Sequence, residues 1–163
     1  MKSTPAYVIA LHPCSRGFGW ALFECADSIF DWGTADVREG DKNVEALRRA
    51  DVLFKRHRPR LLALEAFDEP TSRRSPRIRK LCRSLIVRAE KRGISVCLCA
   101  RGEIQALFAC KTREDVAAAV AKQLPALASL LPRRRKVWES EPARLPLFSA
   151  AACALACYAS ERN

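Results

Sequence analysis

Hydrophobic and polar positions alternate in blocks that predict nine elements before a last helix. Residues 6–12 are apolar and β-favouring. The turn Ser15-Arg16-Gly17 follows, and Gly17 and Gly19 supply backbone freedom there. "FGWALFEC", 18–25, reads as a returning strand and "SIFDWGTADV", 28–37, as a third. Their connections are too short for crossovers, so the three strands form an antiparallel meander. Residues 42–58 place Val44, Leu47, Ala50 or Asp51, and Phe54 at helical spacing, with Asp41 as N-cap and Pro59 as terminator. "LLALEAF", 61–67, is a short buried strand. A helix returning into a strand makes a crossover, so this strand runs parallel to the first. After the loop "DEPTSRRSP", a helix over 77–92 lines Ile78, Leu81, Cys82, Leu85 and Ala89 on one face. "ISVCLCA", 94–100, is another strand, followed by helices at 102–109 and 113–124, the loop "PRRRKVWESEPARLP", and a helix at 147–160. The order βββ-α-β-α-β-α-α-α predicts a mixed α/β sheet flanked by helices, in a single domain over residues 1–163.

Composition narrows this little. Hydrophobic residues are 49% and charged residues 29%, as in an ordinary globular protein. No apolar stretch reaches the ~18 residues of a membrane span. The apolar run near the start is broken by His12 and Pro13, too early for a signal peptide, so a cytoplasmic protein without a membrane is expected. Charge changes the picture more. Twenty-nine Lys and Arg against 18 Asp and Glu give +11, which points to a polyanionic partner, nucleic acid.

The eight cysteines contain no C-x-x-C spacing. Cys97 and Cys99 share one face of a predicted strand, and Cys153 and Cys157 are one turn apart on an alanine-rich helix. Buried, reduced thiols acting as small hydrophobes are the main expectation. A zinc site from His12, Cys14 and Cys97 or Cys99 is the alternative.

Three stretches carry a resemblance. "VIALHPCSRGFGWALFE" resembles the opening motif of RuvC-type Holliday junction resolvases of the RNase H superfamily: a hydrophobic strand, an Asp, Pro, a small residue, Ser, and a Gly-containing hairpin. "LLALEAF" resembles the motif in which Glu closes the fourth strand. "PLFSAAACALA" resembles the last motif, where an Asp stands in the first turn of a small-residue helix. The resemblance implies an RNase H-like fold, a homodimer, and metal-dependent cleavage of DNA by two divalent ions, Mg2+ or Mn2+, held between clustered carboxylates. Carried over by position, His12 stands where the first Asp is expected, Glu65 retains the Glu, and Ser149 replaces the last Asp. A further acid three residues before the last would fall on Pro146. Magnesium prefers carboxylate oxygens, whereas imidazole suits manganese or zinc. The metal ligands implied are therefore Glu65 and His12, with Ser149 a weak neutral member. Glu141 is a candidate substitute beside Glu139, as are Asp68 and Glu69; all four read equally as solvated loop acids. A His12–Glu65 hydrogen bond is a structural replacement for a metal cluster.

Phosphate contacts are expected from Arg73, Arg74, Arg77, Lys80 and Arg88, with Lys91, along the 72–92 loop and helix. Arg133, Arg134, Arg135 and Lys136 form a second cluster, and Arg16 lies in the first turn. Trp138 either stacks on a base or anchors its loop, the anchor being preferred. The 72–92 helix is the expected seam of a dimer, although its apolar residues serve equally as core. Three readings follow: a resolvase-like protein that binds branched DNA with nuclease activity weak or lost; an active endonuclease rebuilt on His12, Glu65 and Glu141; and a structural subunit of a larger complex.

Overall fold

The computed structural model describes residues 6–70 and 72–163. Thr71 of the "DEPTSRRSP" loop and the first five residues of the expected signal-free start lie outside them. β1 (Val8–Cys14), β2 (Gly17–Cys25) and β3 (Ser28–Asp36) form the expected meander; α1 (Lys42–His57) then crosses to β4 (Leu61–Glu65). Next come α2 (Pro76–Lys91), β5 (Ser95–Cys99), α3 (Arg101–Phe108), α4 (Arg113–Gln123), a 3-10 helix (Pro125–Leu130) and α5 (Leu145–Glu161). The sheet order is β3-β2-β1-β4-β5, antiparallel across β1–β3 and parallel from β1 through β5. The α/β architecture with three antiparallel strands followed by parallel ones is therefore present as read from the sequence.

Element ends differ from expectation in small ways with local causes. β1 runs past His12 to Cys14, because its antiparallel ladder with β2 continues to Cys14↔Gly17. α5 starts at Leu145 rather than 147, since Pro146 suits a helical first turn, where no backbone N–H is needed. The 3-10 helix was not expected from the sequence; Pro125 opens it.

Both faces of the sheet are covered. Ile9, Leu11, Leu62 and Leu64 face α1 and α2. Val8, Ala10, Leu61 and Ala63 face α4 and α5. The second face is built of small residues: Ala10, Ala21 and Ala63 meet an α5 that is buried almost all round. Such a helix sits in the centre of its layer, close to the strands. A Cβ on Gly19 would lie 2.3 Å from the backbone of Pro146 and Leu147, so the first turn of α5 rests directly on β2 there. Gly19 is also the ladder partner of His12. On α2, Leu81, Cys82, Leu85 and Ala89 are buried, whereas Ile78 is half-buried and Val87 is exposed. Among the described residues no helix is long and apolar enough to cross a membrane.

Candidate functional site

The β1–β4 ladder stops at Ala10↔Ala63, two residues before His12 and Glu65. Beyond that point the strand ends diverge and open a crevice at the carboxyl edge of the parallel strands, the usual ligand position in such sheets. Side chains alternate along a strand. His12 therefore shares the face of Val8 and Ala10, and Glu65 that of Leu61 and Ala63; both point towards the α4–α5 layer.

Two arginines fill the space between them. Arg113, the first residue of α4, donates from Nη2 to His12 Nε2 at 2.9 Å and to Ser149 Oγ at 3.0 Å. Its Nη1 donates to Glu141 Oε1 at 2.6 Å. Arg74, from the loop before α2, donates from Nη2 to Glu65 Oε2 at 3.0 Å and lies 3.4 Å from His12 Nδ1. His12, Ser149 and Glu141 thus converge on one guanidinium, and Glu65 is held by the other. The expected His12–Glu65 bond is not formed as such: Nδ1 stands 3.6 Å from Oε2, and Arg74 makes the shorter contact to the carboxylate.

The electrostatics follow from this packing. His12 is only 6% exposed. Burial, then Arg74, then Arg113 lower its pKa well below the usual imidazole value, so the ring is neutral at pH 7. Because Nε2 accepts from Arg113, the ring proton is assigned to Nδ1, facing Glu65. Nearby, burial raises the pKa of the Cys14 thiol.

The cleft over this group has a volume of about 340 Å³. Its wall carries four guanidiniums (Arg73, Arg74, Arg101, Arg113) against three carboxylates (Glu65, Glu69, Glu141). With His12 neutral, the lining is cationic by one charge. Among the described residues, His12 and Glu65 approach each other, but no further carboxylate joins them with all ligand atoms within 4.8 Å of one another. Glu65 and Glu141 are each held by an arginine, and the imidazole lone pair is taken. This donor set does not fit a pair of hard divalent ions, which need several uncompensated anionic oxygens. What it does fit is an anion: forked guanidinium donors match phosphate oxygens.

No family model matches the sequence, and no curated protein matches it. Solved structures do. The chain superposes on Thermus thermophilus RuvC with a TM-score of 0.68 at 16% identity, over 96% of both chains. It matches T. thermophilus RuvC in complex with a Holliday junction substrate at 0.67 and 17% identity, again over 96% of each. The yeast mitochondrial Holliday junction resolvase Ydc2 aligns at 0.59 and 15%, over 98% of this chain and 81% of that one. This is the RuvC-type fold. In this chain, the positions carrying the resemblance (His12, Glu65, Ser149) do come together in space, but around arginine.

Other expected residues are placed as follows. Arg16 and Arg73 are exposed at the rim, and Lys80 is exposed on α2. Arg77 donates to Asn43 Oδ1 at 3.1 Å, and Arg88 pairs with Asp51. The α2 stripe is therefore partly paired internally, and its member Arg74 points into the cleft. Arg133, Arg134 and Arg135 pair with Glu139, Asp115 and Glu114; Lys136 is exposed. Trp138 is 78% exposed with the Lys136 ammonium 5.3 Å from its ring centroid, so it does not anchor the loop. The zinc alternative with His12 and Cys14 is not formed. Among the described residues, the group with metal-ligand spacing is Cys97, Cys99 and Cys157, because β5 turns both of its cysteines towards α5.

Arg113 and Arg101 were not singled out in the sequence. A faint signal exists: each is the first residue of a helix, where the helix dipole disfavours a cation. An arginine there is better explained by acids or acceptors outside its own helix.

Proposed function

We propose that this chain binds branched or otherwise structured DNA through its RuvC-type fold, with cleavage by two-ion chemistry weak or lost. The observation that carries the reading is the cleft wall of four guanidiniums against three carboxylates, with Arg74 and Arg113 inserted where the resemblance implies metal. A phosphate entering the cleft meets Arg73 and Arg101 first; among the described residues neither has an ion-pair partner, and both are exposed. Arg113 lies deeper and is held in place by three acceptors. The net charge of +11 supplies long-range attraction, and Arg16 extends the cationic rim along the first hairpin. Contacts of this kind recognise the shape and charge of a backbone rather than base sequence.

The test is fluorescence anisotropy with a four-way junction, a duplex and a single strand of matched sequence, each in chelator, Mg2+ and Mn2+. The expected result is junction binding that is tighter than duplex binding, persists in chelator, and leaves all strands uncut. Glu141 lines the same cleft as His12 and Glu65, which is what favours the rebuilt-site nuclease as a second reading. Metal-dependent cutting that disappears in Glu65→Ala would install that reading instead. Absence of binding to every nucleic acid at low salt would leave the role of a subunit contacting protein.

A further inference from the structure

A second side-chain cluster lies between the edge of the sheet and α5. Cys97 and Cys99 are two residues apart on β5, so they point to the same face. Cys157 reaches that face from α5. Its Sγ is 2.6 Å from that of Cys97 and 3.2 Å from that of Cys99, and the two strand sulfurs are 3.9 Å apart. Cys99 and Cys157 are buried, and Cys97 is half-buried. Cys153, also buried, lies one turn earlier on the helix, its carbonyl oxygen 4.0 Å from Cys99 Sγ. Packing alone asks for nothing of the kind. The same helix buries alanine at 150, 151, 152, 154 and 156 without any sulfur. Three sulfurs from two elements meeting at one point is a donor arrangement.

We propose that Cys97, Cys99 and Cys157 bind one thiophilic d10 cation, zinc or copper(I), between β5 and α5. Thiolate ligands select these soft ions over magnesium or calcium. As each metal–sulfur bond forms, its thiol releases a proton to solvent. Zinc–sulfur bonds of about 2.3 Å set the sulfurs ~3.8 Å apart; the Cys97–Cys99 separation already matches, and on loading the Cys157 side chain rotates away from Cys97 by roughly 1 Å. Copper(I) is satisfied by three sulfurs, whereas zinc takes a fourth ligand, for which Cys153 is the nearest cysteine on α5. The ion joins the edge strand, hydrogen-bonded to β4 alone, to the central helix. Ser149, Cys153 and Cys157 follow one another at four-residue spacing, so the same helix face carries Ser149 to Arg113 and the thiols to β5.

The experiment uses the full chain, expressed with added zinc and purified without oxygen in a non-thiol reductant. Metal content is measured by mass spectrometry. The stripped native chain is then titrated with Co2+ for sulfur-to-cobalt charge-transfer absorption, and with Cu+ against a copper(I) chelator. The expected result is one ion per chain, charge-transfer bands with Co2+, and a rise in melting temperature on loading. Cys97→Ser and Cys157→Ser are each expected to lower retained metal by about tenfold or more, while the exposed Cys25→Ser leaves it unchanged. Cu+ retention without zinc retention would assign copper(I), and the reverse would assign zinc. A native chain that retains neither ion and gives no cobalt bands overturns the proposal, whatever the folding of the variants. So does a disulfide linking the Cys97 and Cys157 peptides after anaerobic purification, seen by peptide mapping without reduction.

Discussion

Arginine is used in two ways in this chain, inside the cleft and on the outer surface. Arg74 is 15% exposed and its partner Glu65 18%; Arg113 is 34% exposed and touches three acceptors. Arg133 and Arg134, by contrast, are each 76% exposed and pair with single acids. Exposed pairs contribute little to stability, so their cations exchange partners cheaply, and phosphate is a ready substitute. Half-buried charges with several partners behave otherwise: removing one partner strands the rest. The same guanidinium therefore serves as fixed architecture in the cleft and as an exchangeable contact outside it.

The strongest challenge to that division is to give the acids back. His12→Asp with Ser149→Asp leaves both arginines in place, and Mn2+ binding by calorimetry is expected to stay weak. Adding Arg74→Ala and Arg113→Ala is expected to tighten it by on the order of a hundredfold or more, since two cations then leave the site. Equal Mn2+ affinity in the double and quadruple variants would break the comparison. Next in size is stability. Glu65→Ala strands Arg74 beside a buried histidine and is expected to cost about 2–3 kcal/mol in urea denaturation. Arg74→Ala in the same chain should return part of that loss, as a double-mutant cycle reveals. A loss comparable to that of an exposed pair would place Arg74 with the outer set.

The pH dependence of folding gives a finer measure. The folded-state pKa of His12 is lowered, so the unfolded chain binds its proton more readily than the folded one. Stability is then full above the ordinary value of 6.5 and falls as pH drops from there towards the folded pKa. The slope reaches at most about 1.4 kcal/mol per pH unit. Burial lowers the His57 pKa too, so both histidines act in the same direction, and His12→Asn isolates the cleft contribution. An unchanged slope in that variant would show that the ring binds its proton as readily in the fold as in the unfolded chain. The smallest effects belong to the surface. Arg133→Ala, Arg134→Ala and Arg135→Ala should each change stability by less than about 1 kcal/mol. Each that contacts a phosphate should lower the slope of log affinity against log salt by roughly 0.9.

The strands and helices were legible because hydrophobic periodicity is a local property. The alternation in β1 and the spacing of Leu81, Leu85 and Ala89 in α2 mark buried faces directly. The departures at His12 and Ser149 were legible too, since each is a single residue in a readable motif. What fills the gap between them was not. Arg113 meets His12 across 101 residues of sequence, and no period of two or 3.6 carries such a contact. A long flexible side chain is also free of the strand's in-and-out rule, so Arg74 reads as one of a basic run while its charge is spent on Glu65. Trp138 was misjudged for a related reason: aromatic character favours burial, but its loop runs over the surface, with Val137 fully exposed beside it.

Gly19 carries no charge and touches no ligand group, yet the cleft depends on it. A single methyl there would wedge the start of the central helix off the second strand, because backbone rather than a pliable side chain occupies the space. The displaced turn would carry the serine hydroxyl away from its guanidinium, and the imidazole opposite would lose its flank. An uncharged substitution several bonds from any ionisable atom would thus loosen the anion seat while leaving every member of it chemically intact.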